Sequence, residues 1–179
     1  MKKCKKMVIN DESIEYLISL AEDAVFEGDY NLASRLLYNA LYDEPGYAKL
    51  HYTLAWMYHY YQFNEVKAIR HYELSLYFDP TCDYAYRQLV ELLMDKKRYD
   101  AVNSLLQKAE NAGHLDKDFI YETLGNLAEK QADFGLAIKY YRKALMHSMD
   151  NNASKELRQN IKRTKFKKFK TNWRWQRQN

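Results

Sequence analysis

A short pattern recurs four times along the sequence, and it constrains the fold more than any other feature. The fourth copy spans residues 133–145 and reads DFGLAIKYYRKAL, and earlier copies lie at 29–41, 64–76 and 98–110. Each copy begins with a polar turn and continues with apolar residues at the three- and four-residue spacing of a helix. The period of 34 or 35 residues indicates a chain of repeated helix pairs.

Corresponding positions in the four copies carry residues of matching size. In the second helix of each pair, two positions carry mainly small residues and one carries a large residue. In the first helix, a small residue follows a leucine in most copies. The sets are Ala33, Ala68, Val102 and Ala137; Ala40, Ser75, Ala109 and Ala144; Leu37, Tyr72, Leu106 and Tyr141; and Ala21, Ala55, Val90 and Gly125.

This pattern resembles the tetratricopeptide repeat, a unit of 34 residues with a Leu-Gly or Leu-Ala pair and a closing proline. The resemblance covers residues 14–150, as units at about 14–47, 48–82, 83–117 and 118–151. It implies an all-α fold, a right-handed α-solenoid of antiparallel helix hairpins. None of the four units has a tryptophan at the place where the family has its first aromatic residue. An extra residue near Tyr61 leaves the register of the second unit uncertain by one residue.

The flanking segments predict three further parts of the chain. Residues 1–10 form a basic N-terminal segment, residues 11–151 hold the repeats, 152–165 form a C-terminal capping helix, and 166–179 form a basic aromatic tail. On a helix, Leu157, Ile161 and Thr164 share one side, which we expect to dock on the last hairpin. Phe166, Phe169 and Trp173 share a different side.

Charge is distributed unevenly. Residues 1–150 carry 18 Lys and Arg against 23 Asp and Glu, whereas residues 151–179 carry ten against one. Cations alternating with aromatic rings suit RNA or an anionic membrane surface. The alternatives are a solvated tail or rings folded back on the repeats. The predicted anion-binding residues are Lys162, Arg163, Lys165, Lys167, Lys168, Lys170, Trp173, Arg174, Trp175 and Arg177.

The sequence contains no recognisable catalytic constellation. Its five histidines and two cysteines lack the spacing of metal ligands, and its glycines form no phosphate-binding loop. We therefore expect no enzyme activity, cofactor, metal or small-molecule substrate. The two cysteines do not make a disulfide framework, and no apolar run follows the basic start or is long enough to span a membrane. These features predict a cytoplasmic protein.

The resemblance also implies a binding surface on the inner face of the leading helices. The places carried over to that face include Ile18, Val25 and Thr53. Aromatic rings that bury much area at low entropy cost make good anchors. For Trp56 and Tyr60, the alternative to a role in partner binding is that their rings pack in the core. The predicted partner-binding residues are Tyr52, Trp56, His59, Tyr60, Tyr84, Arg87, Gln88 and Glu91, with Arg87 as a hydrogen-bonding contact.

The leading hypothesis is a non-enzymatic adaptor that binds a protein or peptide partner in the concave face. A second hypothesis assigns RNA or anionic-surface binding to the basic tail, residues 162–177. A third joins the two: the basic tail lies in the acidic groove of its own chain or of a neighbouring chain, giving self-association or a homo-dimer.

Overall fold

The chain folds into helices joined by short turns. The computed structural model describes residues 11–113 and 115–178, with side chains for 13–111, 113 and 115–171. No β-strand is found in this described part, and the predicted all-α class is confirmed. The helices are α1 (Asp11–Phe26), α2 (Tyr30–Asp43), α3 (Ala48–Tyr60), α4 (Glu65–Phe78), α5 (Asp83–Asp95), α6 (Tyr99–Ala112), α7 (Lys117–Lys130), α8 (Phe134–His147) and α9 (Asn151–Gln178).

The helices belong to two compact units that meet in the chain after Leu92. In the first unit, α1 packs on α2, α3 packs on α4, and α3 also contacts α1 and α2. In the second unit, α7 packs on α8, α9 packs on α8, and α6 contacts α7. Within the two units, α1 with α2, α3 with α4 and α7 with α8 therefore form pairs, as the repeat predicts.

The matched small residues lie where helices approach one another. Ala33, Ala68, Val102 and Ala137 are all fully buried. Small side chains at a helix contact allow a short distance between helix axes, and a longer side chain would push them apart. The positions with large side chains are buried as well, at Leu37, Tyr72, Leu106 and Tyr141. The repeated pattern is therefore a pattern of core positions.

Each hairpin turns through one residue in the left-handed backbone region. These residues are Gly28, Phe63, Lys97 and Ala132, with φ of 83°, 51°, 56° and 62°. In three turns the backbone N–H that follows bonds to the carbonyl five residues earlier, for example Asp29 to Ala24 at 2.8 Å. In the second turn, Asn64 N–H reaches the carbonyl of Tyr58, six residues earlier, at 2.8 Å.

The extra residue of the second repeat is therefore accommodated in the turn, and the helix before it keeps its register. Leu54 and Ala55 in α3 are fully buried, as Ala21 is in α1. A shift by one residue would have rotated the buried face of α3 by about 100°. The turn absorbs the added length because an exposed loop has fewer packing constraints than a helix face.

Three of the four second helices begin with a side-chain cap, and the third lacks one. Arg98 occupies the cap position of α6 and makes no side-chain hydrogen bond to the helix start. At the other starts an Asp or Asn accepts a hydrogen bond from the backbone N–H three residues later, which stabilises a helix end. These pairs are Asp29 with Leu32 (2.9 Å), Asn64 with Lys67 (3.2 Å) and Asp133 with Leu136 (3.0 Å).

Replacing Arg98 with aspartate is expected to raise the free energy of unfolding by about 1 kcal/mol relative to Arg98→Ala, because only aspartate provides the missing cap. Urea unfolding followed by far-UV circular dichroism measures the difference. Alanine is the matched control because it removes the arginine without adding an acceptor. Equal stability of the two variants would contradict this account of the third turn.

A chain of hydrogen-bonded polar side chains crosses the first unit. His51 on α3 and His71 on α4 are both buried, and their Nδ1 atoms lie 3.2 Å apart. His51 Nε2 lies 3.1 Å from the carbonyl oxygen of Pro45, and His71 Nε2 lies 3.2 Å from the hydroxyl of Tyr38. The Tyr38 hydroxyl is 3.2 Å from that of Tyr58.

This geometry determines where the protons lie when both rings are neutral. A carbonyl only accepts, so His51 carries its proton on Nε2 and donates to Pro45. His51 Nδ1 is then the acceptor, and His71 Nδ1 must donate to it. His71 Nε2 consequently accepts from the Tyr38 hydroxyl, which in turn accepts from Tyr58. In this arrangement every nitrogen of the two imidazoles faces a group of the opposite hydrogen-bonding role.

Within residues 11–113 and 115–178, no helix combines the length and the apolar character needed to cross a lipid bilayer.

Candidate functional site

A cavity of about 390 Å³ opens on the first unit beside the start of α3 and the start of α5. Tyr52 and Tyr84, both predicted to lie on the inner face, line this cavity. Tyr84 is 70% exposed. Tyr52 is half-buried, with its ring centroid 6.1 Å from that of the buried Tyr72. The other lining residues are Ala48, Lys49, Asp79 and Cys82. The walls are mainly apolar, as in sites that receive an apolar side chain.

A hydrogen-bonded group from two helices contributes a second part of this surface. The hydroxyl of Tyr60 on α3 donates to Gln88 on α5 and lies 3.1 Å from Oε2 of Glu91. Burial and the nearby Glu91 raise the pKa of Tyr60 to about 12, so its hydroxyl keeps its proton at neutral pH. Below, "pocket surface" denotes Lys49, Tyr52, Tyr60, Tyr84, Gln88 and Glu91.

Other predicted site residues lie beside the pocket surface or in a separate group. His59 stacks on the Tyr60 ring at 4.2 Å, and its Nδ1 lies 3.4 Å from the hydroxyl of Tyr72. Trp56 is half-buried between Phe26 and Tyr61, with ring centroids 5.7 and 4.8 Å away. Trp56 does not line the cavity. It belongs to an aromatic cluster of its own.

Two cations near the cavity are already paired with carboxylates. Arg87 donates from Nε to Oδ2 of Asp83 at 2.8 Å, one helical turn away. Lys49 donates to Glu15, and this hydrogen bond is the main reason that the pKa of Glu15 is lowered. Arg87 therefore already holds a carboxylate of its own chain at the position where we predicted a contact to a partner.

Two acids on the same side of the first unit differ from Glu15 and Asp83 in their pairing with cations. Within the described part of the chain, no ion pair is found for Glu22 or Glu91. Burial raises the pKa of Tyr52, and the nearby Cys82, Tyr84 and Glu22 raise it further, which places Glu22 close to the cavity. Burial also raises the pKa of Glu22 itself. A partly desolvated carboxylate gains when a partner brings a cation to it.

The sequence-based inner face was wrong at five places, including Met94 and Thr123, which are 8% and 6% exposed, and it was incomplete at others. Ile18, Val25 and Thr53 are buried, each about 1% exposed, so they belong to the core and not to a surface. The reason is that these helices pack against neighbours on more than one side. Asp79 and Cys82 line the cavity from the turn between α4 and α5. The pattern missed them because it names only helix positions.

The predicted cap and tail form a single helix. α9 begins where Asp150 accepts a hydrogen bond from the backbone N–H of Ala153 at 2.7 Å. It continues to Gln178 with no Gly or Pro to interrupt it. Leu157 and Thr164 are buried, and Ile161 packs against the core of α7 and α8, as the predicted stripe requires.

One carboxylate, Glu129 at the end of α7, anchors α9 to the second unit. It accepts hydrogen bonds from Arg163 Nη2 at 2.8 Å, Lys167 Nζ at 2.8 Å and the hydroxyl of Tyr141 at 2.7 Å. Burial alone would raise the pKa of this carboxyl, but these hydrogen bonds outweigh it and lower the pKa to about 2. Arg163 and Lys167, both predicted to bind an external anion, therefore already bind one within the chain.

The remaining described cations of α9 face solvent. Phe166 and Phe169 are 58% and 66% exposed among them, and Lys170 Nζ lies 4.7 Å from the Phe166 ring centroid. Among the predicted anion-binding residues, the exposed lysines that do not bind Glu129 are Lys162, Lys165, Lys168 and Lys170. The side chains of the predicted residues Trp173, Arg174, Trp175 and Arg177 lie outside the described residues. Exposed rings between lysines make this side of α9 a second candidate surface.

The chain is similar to several solved helical structures over most of its length. A structure of PilF from Pseudomonas aeruginosa matches 89% of this chain and 71% of its own, with a TM-score of 0.69 and 20% identity. The structure of PilW, described as a widely conserved type IV pilus biogenesis factor, matches 87% of this chain and 79% of its own, with a TM-score of 0.61 and 16% identity.

A dimer of human IFIT1 with m7Gppp-AAAA matches 89% of this chain and 40% of its own, with a TM-score of 0.71 and 18% identity. No protein-family model and no curated protein sequence matches this chain. At these levels of identity the likeness shows the fold alone. That fold is a helical repeat.

Proposed function

Since the chain has the tetratricopeptide-repeat fold of these structures, as its sequence predicts, we propose that it is a non-enzymatic adaptor that binds a segment of a partner protein on the pocket surface. Repeat proteins of this kind present extended surfaces for partners. PilW, named as a pilus biogenesis factor, and IFIT1, solved with m7Gppp-AAAA, are neighbours of this fold. They support partner binding in general and no particular partner.

One observation carries the proposal. Tyr52 and Tyr84 come from successive leading helices and line a single, mainly apolar cavity. An exposed tyrosine beside such a cavity provides both a ring for packing and a hydroxyl for hydrogen bonding. The nearby acids Glu22 and Glu91 favour a segment that carries cations. The proposed ligand is therefore a short basic segment with an aromatic or aliphatic anchor.

Selection of random peptides on the immobilised full chain tests this function. Peptides enriched on the wild type should carry Lys or Arg next to an apolar anchor. Tyr84→Ala should lower their affinity about tenfold or more, because an aromatic anchor at the centre of an interface commonly contributes that much. Fluorescence anisotropy with a labelled selected peptide measures the change.

Tyr42→Ala is the matched control, because Tyr42 is also an exposed tyrosine but lies on α2 and does not line the cavity. It should leave the affinity unchanged. Peptides that bind wild type and Tyr84→Ala equally well would place the binding surface elsewhere and remove the basis of this proposal.

A second candidate function is the binding of RNA or an anionic membrane surface by α9. It is supported by the exposed lysines and the exposed rings of Phe166 and Phe169. It is weakened by Glu129, which takes up Arg163 and Lys167. Binding of this kind would fall steeply with salt.

A further inference from the structure

Charge is strongly polarised along the chain. Residues 11–92 carry five Lys and Arg against 14 Asp and Glu, a balance of −9. Residues 93–150 carry nine of each, a balance of zero, and residues 151–179 carry ten against one, a balance of +9. A strong acidic region and an equally strong basic region on one chain favour contact between the acidic region of one molecule and the basic region of another.

The exposed side of α9 has a regular arrangement of rings and cations. At 100° per residue, the order around the helix is Lys165, Phe169, Lys162, Phe166 and Lys170, each about 20–40° from the next. All five side chains are exposed. Two rings therefore lie between lysines, on the side of α9 that faces away from the buried Leu157 and Thr164.

The pocket surface on the first unit has the complementary features. Its cavity of about 390 Å³ has mainly apolar walls and is within the usual size range of ligand pockets. Lys49 and Arg87 are neutralised by Glu15 and Asp83. Among the described residues, the acids near the cavity that have no ion pair are Asp79, which lines it, and Glu22 and Glu91. A phenyl ring flanked by lysines meets an apolar cavity flanked by carboxylates.

We propose that the exposed side of α9 in one copy of the chain docks on the pocket surface of a second copy, with Phe166 or Phe169 in the cavity and the neighbouring lysines beside Glu22 and Glu91. This proposal rests on the proposed function and names its partner. Each copy carries both surfaces, so the contact is head-to-tail and can continue into a ring or an open chain of copies.

The charge of the first unit favours a second copy over RNA or a membrane. A polyanion approaching α9 is attracted by its lysines but repelled by the acidic segment 11–92, with its balance of −9. A second copy presents that same acidic unit as the binding surface. It also supplies an apolar cavity for the exposed rings, which a phosphate backbone does not.

Sedimentation velocity of the full chain at increasing concentration tests the proposal. Wild type should shift to higher sedimentation coefficients, and raising the salt from 50 to 500 mM should weaken association about tenfold, since salt screens charge pairs at a solvent-exposed interface. Lys165→Glu with Lys170→Glu, and separately Glu22→Lys with Glu91→Lys, should each lower the association constant about tenfold or more.

Mixing the two charge-reversed variants in equal amounts should restore association. The reversed, acidic α9 of one variant then meets the reversed, basic pocket surface of the other. A chain carrying all four changes should associate with itself again, which also shows that the changes do not prevent folding. The matched control is Lys139→Glu with Arg142→Glu on α8, which alters the net charge equally at exposed positions. It should leave association unchanged.

Three results would overturn the proposal. The first is wild type that stays monomeric at every concentration. The second is reversal on α9 that leaves self-association intact. The third is a monomeric wild type in which that reversal instead abolishes binding to polyuridylate or to phosphatidylserine vesicles. Selected peptides that still depend on Tyr84 in any of these cases would preserve the adaptor function and reject only the second copy as its partner.

Discussion

Replacing Gly125 with alanine is expected to destabilise the second unit by about 2 kcal/mol. A Cβ atom at this position would lie 2.6 Å from two carbons of the Tyr141 ring. That ring is fully buried, and its hydroxyl donates to Asn126 and Glu129 at 2.8 and 2.7 Å, so it cannot move away without losing these bonds. Overpacking costs about 1–3 kcal/mol, which exceeds the gain of at most about 1 kcal/mol for alanine in a helix.

Gly135→Ala is the matched control for this prediction. Gly135 also lies in a helix, but an added Cβ would meet only Asp133 and Lys168 atoms at 3.5 Å, an ordinary contact distance. This change should raise the free energy of unfolding by up to about 1 kcal/mol. Urea unfolding followed by circular dichroism gives both values. A Gly125→Ala variant at least as stable as wild type would show that the contact with Tyr141 does not limit residue 125.

Lowering the pH from 6.5 to 4 is expected to destabilise the first unit by about 3 kcal/mol through His71. Burial, followed by the charges of His51, Arg70 and Lys67, lowers the pKa of His71 from 6.5 to about 4. Over this range the unfolded chain binds a proton that the folded chain does not, so stability falls as the pH falls. One pH unit of this difference is worth about 1.4 kcal/mol.

The hydrogen-bond chain explains why the folded protein resists that proton. Protonating His51 at Nδ1 would place two N–H groups against each other at its 3.2 Å contact with His71. Protonating His71 at Nε2 would remove the acceptor of the Tyr38 hydroxyl. Burial lowers the pKa of His51 as well, which acts in the same direction. Well above pH 6.5 both imidazoles are neutral in the folded and the unfolded state, and this loss of stability is absent.

Two variants separate this cause from general acid destabilisation. His71→Phe removes the titrating group and should flatten the dependence of the unfolding midpoint on pH between 6.5 and 4. Tyr38→Phe removes one hydrogen bond to His71 but keeps both imidazoles, so the dependence should persist. Urea unfolding at four pH values measures both. An unchanged slope in His71→Phe would rule out His71 as its source.

The fold could be predicted from the sequence because its main requirement is local and repeated. Ala33, Ala68, Val102 and Ala137 must be small wherever two helices meet, and the same spacing recurs in each copy. The aromatic stripe on α9 could be separated from the docked stripe for a similar reason, since 100° per residue determines which side chains share a side.

The site could be predicted only in part because several of its contacts join distant residues. Tyr52 and Tyr84 share a cavity, in agreement with the common inner face that the repeat resemblance implies for them. Glu129 pairs with Arg163 and Lys167 at separations of 34 and 38 residues, and no local pattern reveals this. The pair His51 and His71 likewise forms only when different helices pack. The bond from Arg87 to Asp83 could have been found from its four-residue spacing.

The lengthened turn before α4 is a suitable insertion site for a reporter of the first unit. Phe63 at its tip is 79% exposed, while Ala55 and Ala68 on either side of the turn stay fully buried. A spectroscopic reporter or a short epitope grafted between Gln62 and Phe63 would be displayed outward, since exposed loop tips tolerate insertion. Movement of the first unit could then be followed without a label on either candidate surface.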